Sequence, residues 1–283
     1  MNKAPKEIRV AVIGGGGKMG SRTSLGLARA GYQVMACDKG EAGLNQIRDN
    51  GFEPVDSVEA VAEADFVVLA VPDRLTGTVT AALVPGMRPN ATVLLLDPAA
   101  AYLGEVTIRP DCSFVVAHPC HPALFSQQLS VEAFADHFGG GEGIQDIVIA
   151  LHSGEPVALD AAEPVAKAMF SPVDRCHRMN VEAMAILEPA TVEMSVGAAI
   201  RLMREAMDEA VRRGVPADAA RSFVLGHIKV ISAVIFGDTE FPLSDAAQVA
   251  VDIGYERIVK QDWRRLFEPD EIKRAITSML GVE

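Results

Sequence analysis

Short apolar runs alternate with stretches of helical spacing over the first 180 residues, and then the alternation stops. The runs at 8–13, 33–37, 65–71, 92–97, 113–118, 146–151 and 173–179 have strand length. The run at 65–71, DFVVLAV, is apolar almost throughout, as befits a strand buried on both faces of a parallel sheet. Between the runs, residues 18–30, 43–50, 57–63, 75–83 and 161–169 read as helices joined by short turns. This alternation predicts a doubly wound α/β domain over 1–180. From 181 onward no strand pattern returns, and residues 181–213, 217–236 and 245–258 predict an all-helical domain over 181–283. Residues 181–200 are apolar nearly all the way round, which predicts a helix buried on most sides. A small helical domain does not bury such a helix alone, so a homodimer with intertwined helical domains is expected.

The first apolar run ends in four glycines. On the spacing G-x-G-x-x-G they align as Gly15, Gly17 and Gly20, with Lys18 and Met19 inside the motif. The first glycine permits a sharp turn, the second lets a pyrophosphate approach the backbone, and the third lets helix lie close on strand. The helix N-terminus adds unpaired N–H groups and partial positive charge. Asp38 follows the second strand where an acidic residue taking the adenosine ribose hydroxyls is expected, about 20 residues on. Its charge repels a 2′-phosphate and so favours NAD over NADP. Together these features predict a Rossmann sheet, with Val71, Pro72, Asp73, Asp97, Pro98 and His118 near the cofactor crevice at the carboxyl ends of the strands.

At 283 residues, 49% hydrophobic and 23% charged, the chain has room for two globular domains. A net charge of −12 argues against nucleic acid as a partner, since that affinity needs clustered Lys and Arg. It leaves a small anionic substrate open. Four cysteines without a C-x-x-C pair suggest reduced thiols in a cytoplasm. No apolar run is expected to approach a membrane span, and no signal-peptide pattern opens the chain.

His118 and His121 lie in AHPCHP, where two prolines preclude a helical metal pair. Residues three apart in an extended segment face opposite ways, so one of the two, His118, is expected at the reaction centre and His121 in a structural role. In the apolar helix, Glu182 and Glu193 share a face at about 100° per residue, and Glu188 points away from it. Pro189 loosens the helix beside Glu188. His118 and Glu188, one from each domain, would suit a divalent cation between cofactor and substrate: zinc, magnesium, manganese or calcium. Lys229, two residues after His227, is a candidate for proton transfer or for anchoring a carboxylate, set against the alternative that it reaches solvent. Ser244 or Asp245 reads as a helix cap, and Trp263 as packing.

The glycine motif with Lys18-Met19, the Val71-Pro72-Asp73 turn and the helical second half resemble the 6-phosphogluconate dehydrogenase superfamily. The segments AHPCHPALF, FGGGEGIQDIVIALHSGEP and MAILEPATVE are similar to a small group with a phosphogluconate-dehydrogenase-like C-terminal domain. That resemblance implies an NAD-dependent enzyme of branched sugar-acid catabolism, in which oxidation is followed by a ketol-type rearrangement. On it, His118 and Glu188 would hold the cation, with Lys229 or a nearby group moving a proton. Two other readings stand beside it. One is a metal-free, possibly decarboxylating, hydroxyacid dehydrogenase with His118 as acid/base. The other is a redox sensor that binds NAD without turnover.

Overall fold

The structure, a computed structural model, describes residues 3–282. Seven strands form one sheet in the order β2-β1-β3-β4-β5-β6-β7. They are β1 (Arg9–Ile13), β2 (Gln33–Cys37), β3 (Phe66–Leu69), β4 (Thr92–Leu95), β5 (Ser113–Pro119), β6 (Gln145–Ser153) and β7 (Val173–Met179). The first five are parallel, β6 pairs antiparallel to β5, and β7 runs with β6. Every residue of β3 and β4 is buried, and this accounts for their unbroken apolar runs.

Five helices follow strands or one another in the parallel part: α1 (Lys18–Arg29), α2 (Glu41–Asp49), α3 (Ser57–Glu63), α4 (Thr76–Leu83) and α5 (Ala99–Leu103). A short α6 (Val131–Ala135) and α7 (Val157–Met169) precede β6 and β7 respectively. One face of the core joins Val10, Val12 and Leu27 to Val68, Leu94, Val115, Ile149 and Met169. Gly20 is where α1 meets the turn: a Cβ there would overlap the Gly14 carbonyl, so the third glycine of the motif serves packing. Asp56 starts α3 by accepting the Val58 and Glu59 N–H groups, a helix start that a proline two residues earlier helps to isolate.

The chain divides into two compact units, Met1–Ala185 with Ala275–Glu283, and Ile186–Arg274. The division falls inside a continuous helix made of α8 (Val181–Ala185), a π-helical stretch (Ile186–Gly197) and α9 (Ala198–Arg212). Pro189 explains the widening, because it supplies no N–H to the ladder. Thr191 and Ser195 hydroxyls donate to the carbonyls of Ile186 and Ala190, five residues back in each case. A count of 100° per residue does not carry across the π turns. The facing assigned above to Glu182, Glu188 and Glu193 is therefore withdrawn.

The long helix departs from expectation in two further ways. Val181–Arg212 spans 32 residues and is long and apolar enough to cross a membrane by length and composition alone. The helix is also not buried on most sides within one chain. Val181, Met184, Ala185 and Ala190 are buried, but Ile186, Leu187, Val192, Val196 and Ile200 are exposed. The second unit continues with α10 (Ala217–Ile235) and α11 (Asp245–Ile258), and α12 (Pro269–Leu280) closes the chain. Ser244, not Asp245, caps α11, its hydroxyl accepting the Ala247 N–H. α12 was not anticipated, nor were α5 and α6, which are too short to display a period.

Candidate functional site

The glycine turn opens on a cleft of about 400 Å³ at the carboxyl ends of β1 and β3, lined among others by Gly14, Gly17, Asp38, Lys39, Val71 and Pro72. Residues predicted separately from the glycine motif, the second strand and the VPD turn thus converge on one space. Gly15 lies inside the turn, its N–H bonded to the Cys37 carbonyl. Met19 packs partly buried on the core of the sheet. Gly17 is different: its backbone is unstrained, and a Cβ would find only the Gly14 carbonyl at 3.3 Å and the Ala70 carbonyl at 4.0 Å. What glycine leaves open there is cleft, the room a diphosphate needs above the N-terminus of α1.

Asp38 lines the same cleft at the end of β2. Its carboxylate accepts the Gly16 N–H at 3.2 Å and the Lys39 and Gly40 N–H groups at 2.8 and 3.1 Å, so a fixed anion stands at the tip of β2. The residues present fit a dinucleotide without a 2′-phosphate. Asp38→Ala is expected to weaken NAD by about tenfold, the value of one charge-assisted hydrogen bond, and to leave NADP unchanged or tighter. Titration of both nucleotides by protein fluorescence checks this, and an unchanged NAD preference would refute it.

His118 lies at the end of β5, its Nδ1 2.7 Å from the Leu96 carbonyl. A carbonyl only accepts, so Nδ1 carries the proton and Nε2 of the neutral ring carries the lone pair. An imidazole anchored in this way is the usual form of a metal ligand or a proton acceptor. The donor chemistry fits a divalent cation completed by water and substrate oxygens. Among the described residues no group of three or more His, Cys, Asp and Glu side chains is assembled as a metal centre.

The expectation that His121 faces away from His118 does not hold. The strand ends at Pro119, and His121 adopts a left-handed backbone, φ 60°, which folds the chain back. The two rings stand edge to face with centroids 6.3 Å apart. His121 Nδ1 bonds to the Phe138 carbonyl at 2.9 Å.

Sequence reasoning missed the role of the loop that carries Phe138. Lys18 Nζ, from the dinucleotide turn, sits 3.3 Å above the Phe138 ring, and Arg22 and Arg29 of α1 donate to the carbonyls of Gly139 and Gly140. Asp136 shapes the loop. Burial would raise its pKa, but N–H donation from Gly143 and Gly141 and the Arg22 guanidinium hold it below the usual carboxylate range. The glycine run FGGGEG was the visible signal, since successive residues at positive φ, Gly139 and Gly140, need it.

In the helical unit Glu188 is half-buried and Glu193 exposed, and each has an interaction partner. Glu182, exposed, lies in the first unit near His152, whose pKa burial lowers and Glu182 raises, with a net decrease. Lys229 is exposed on α10, and His227 beside it stacks on Phe223 at 4.0 Å. Trp263 packs edge-on against Phe267.

Residues 126–280 match the family described as phosphogluconate dehydrogenase (decarboxylating) C-term, and residues 9–101 match NADP oxidoreductase coenzyme F420-dependent. A D-apionate oxidoisomerase from Cupriavidus necator is 41% identical over 269 residues, covering 95% of this chain and 98% of the relative. One from Blautia hydrogenotrophica is 42% identical over 278 residues, covering 97% of each. A crystal structure described as a semialdehyde dehydrogenase NAD-binding protein from Cupriavidus necator, in complex with calcium and NAD, superposes with a TM-score of 0.93 at 41% identity. It covers 96% of this chain and 99% of that one.

Proposed function

The chain belongs to the D-apionate oxidoisomerase family, and from that membership we propose that it converts D-apionate to 3-oxo-isoapionate with NAD. The observation that carries this reading is the cleft in which Gly17 leaves room for a diphosphate and Asp38 offers a carboxylate to ribose. When bound, NAD takes the hydride leaving C2, and a divalent cation, zinc, magnesium, manganese or calcium, polarises the neighbouring C2 and C3 oxygens.

The bonds balance without any further reactant. The C2–H bond breaks with its electron pair, and the C2 hydroxyl gives up its proton, leaving a 2-keto acid. A hydroxymethyl group then moves with its bonding pair from C3 to C2. The C3 hydroxyl loses a proton to become the new ketone, and the C2 oxygen gains one. For this chain's residues, we assign His118 and Glu188 as ligands of the cation and Lys229 as the group that moves the proton. Residues 1–180 serve NAD binding, and 181–283 serve substrate binding and dimerisation. Donor chemistry supports the first assignment: the Leu96 carbonyl fixes the His118 tautomer. The assay is NADH formation on adding D-apionate, beside a panel of other sugar acids. No NADH with any of them would favour a sensor over an enzyme.

A homodimer belongs to the same reading. Among the described residues α9 and α11 bury no side chain, and α10 buries only Ala220. Phe223 is 67% exposed, and Phe236 and Phe241 are each 80% exposed. So much apolar helix surface calls for cover, and a second copy of the unit is self-complementary to it. Light scattering at micromolar concentration is expected to give twice the chain mass of 30.1 kDa, and a single-chain mass would contradict the dimer. We place the enzyme in the cytoplasm, because all four cysteines are free thiols. Recovery in the membrane pellet on cell fractionation would contradict that placement.

A further inference from the structure

We propose that Gly43 is a positioning residue for the cofactor: the space it leaves bare at the start of α2 seats the Asp38 carboxylate where ribose meets it, and so supports the preference for NAD over NADP. The inference rests on the reading of Asp38 as the ribose acceptor and deepens it. All the residues concerned lie in the first compact unit.

Gly43 is out of place by helix propensity. It is the third residue of α2 (Glu41–Asp49), and glycine is the poorest helix former after proline. Its backbone has no positive φ that would call for glycine. Space does call for it. A β-carbon built on Gly43 would overlap the carboxyl carbon and both oxygens of Asp38, the three atoms nearest to it. The same closeness extends to the glycine turn, because a β-carbon on Gly16 would run into the backbone of Gly43 itself. Turn, carboxylate and helix start are therefore in direct contact, with no side chain between them but that of Asp38.

This contact fixes a carboxylate that has little acceptor capacity left. A carboxylate offers about four acceptor positions. Oδ1 takes the Lys39 and Gly40 N–H groups, and Oδ2 takes the Gly16 N–H. Among the described residues these are its hydrogen-bond donors, which leaves one position, on Oδ2, for a hydroxyl of a ligand in the cleft that Asp38 lines. An acceptor with one open position depends on where it points, since hydrogen bonds weaken steeply once bent. A methyl group on residue 43 would push the carboxylate off its N–H donors and turn that position away, yet leave the charge beside the cleft. Position and charge can thus be separated: removing the carboxylate relieves the repulsion of a 2′-phosphate, and displacing it does not.

Calorimetric titration of NAD and NADP into four proteins tests this: the parent chain, Gly43→Ala, Asp38→Ala and the double variant. Gly43→Ala is expected to bind NAD about tenfold more weakly than the parent, the loss expected of Asp38→Ala, with NADP within about twofold. In the Asp38→Ala background, where the carboxyl group no longer fills the space, adding Gly43→Ala is expected to change NAD affinity by less than about twofold. A merely structural role would weaken both nucleotides alike and in both backgrounds. That result, or parent-like NAD affinity in Gly43→Ala beside a clear loss in Asp38→Ala, overturns this inference and leaves the ribose reading standing. Parent-like NAD affinity in Asp38→Ala overturns both. Loss of the fold in Gly43→Ala, seen by circular dichroism and restored in the double variant, would make the contact a structural one and likewise overturn the positioning role.

Discussion

Gly17→Ala is expected to weaken NAD binding by at least thirtyfold, about 2 kcal/mol, while lowering the melting temperature by only a few degrees. The protein has to give only slightly to take the methyl group: the nearest atom, the Gly14 carbonyl oxygen, is 3.3 Å from the added carbon, a tight contact short of overlap, and the backbone is ordinary at φ −71°. What the methyl group displaces is the diphosphate, which needs direct approach to the N–H groups at the start of α1. Gly20→Ala is the contrasting case, because there the added carbon overlaps the Gly14 carbonyl and the cost falls on folding. Calorimetric titration with NAD and a thermal melt on each variant separate the two. Unchanged NAD affinity in Gly17→Ala would remove the dinucleotide from this cleft.

His118→Asn is expected to lower the turnover of D-apionate by about a thousandfold or more, with NAD affinity changed less than about threefold. Asparagine keeps an N–H donor on the side where the His118 Nδ1–H meets the Leu96 carbonyl, so that acceptor is not left bare. It lacks the Nε2 lone pair, and the chemistry assigned to that atom goes with it. Steady-state rates with saturating NAD, alongside an NAD titration, check the result. Turnover within tenfold of the parent would show that His118 is not at the reacting centre.

The parallel part of the sheet was legible because each of its strands is a self-contained apolar run, and the glycine motif pointed to a turn that does open on a cleft. Asp38 was singled out by spacing alone, and it lines that cleft. The histidine pair was misread for a specific reason: facing in an extended segment follows from alternation, and one left-handed residue, His121, cancels it. The Glu188 region was misread through the same kind of assumption. A fixed angle per residue fails where Pro189 opens the helix into π turns. The long helix was taken as buried because periodicity reports how apolar a surface is. It does not report which chain covers it. Phe138 escaped notice since its partners, Lys18 and His121, are more than a hundred and about seventeen positions away respectively.

The carbon skeleton of the product formed from uniformly ¹³C-labelled D-apionate and NAD separates rearrangement from simple oxidation. In the substrate, C2 is bonded to two carbons. The rearrangement predicts a product, formed in step with NADH, whose C2 shows one-bond coupling to three. A product whose C2 keeps two carbon neighbours, or label released as carbon dioxide, would contradict the isomerising half of the account and leave a dehydrogenase.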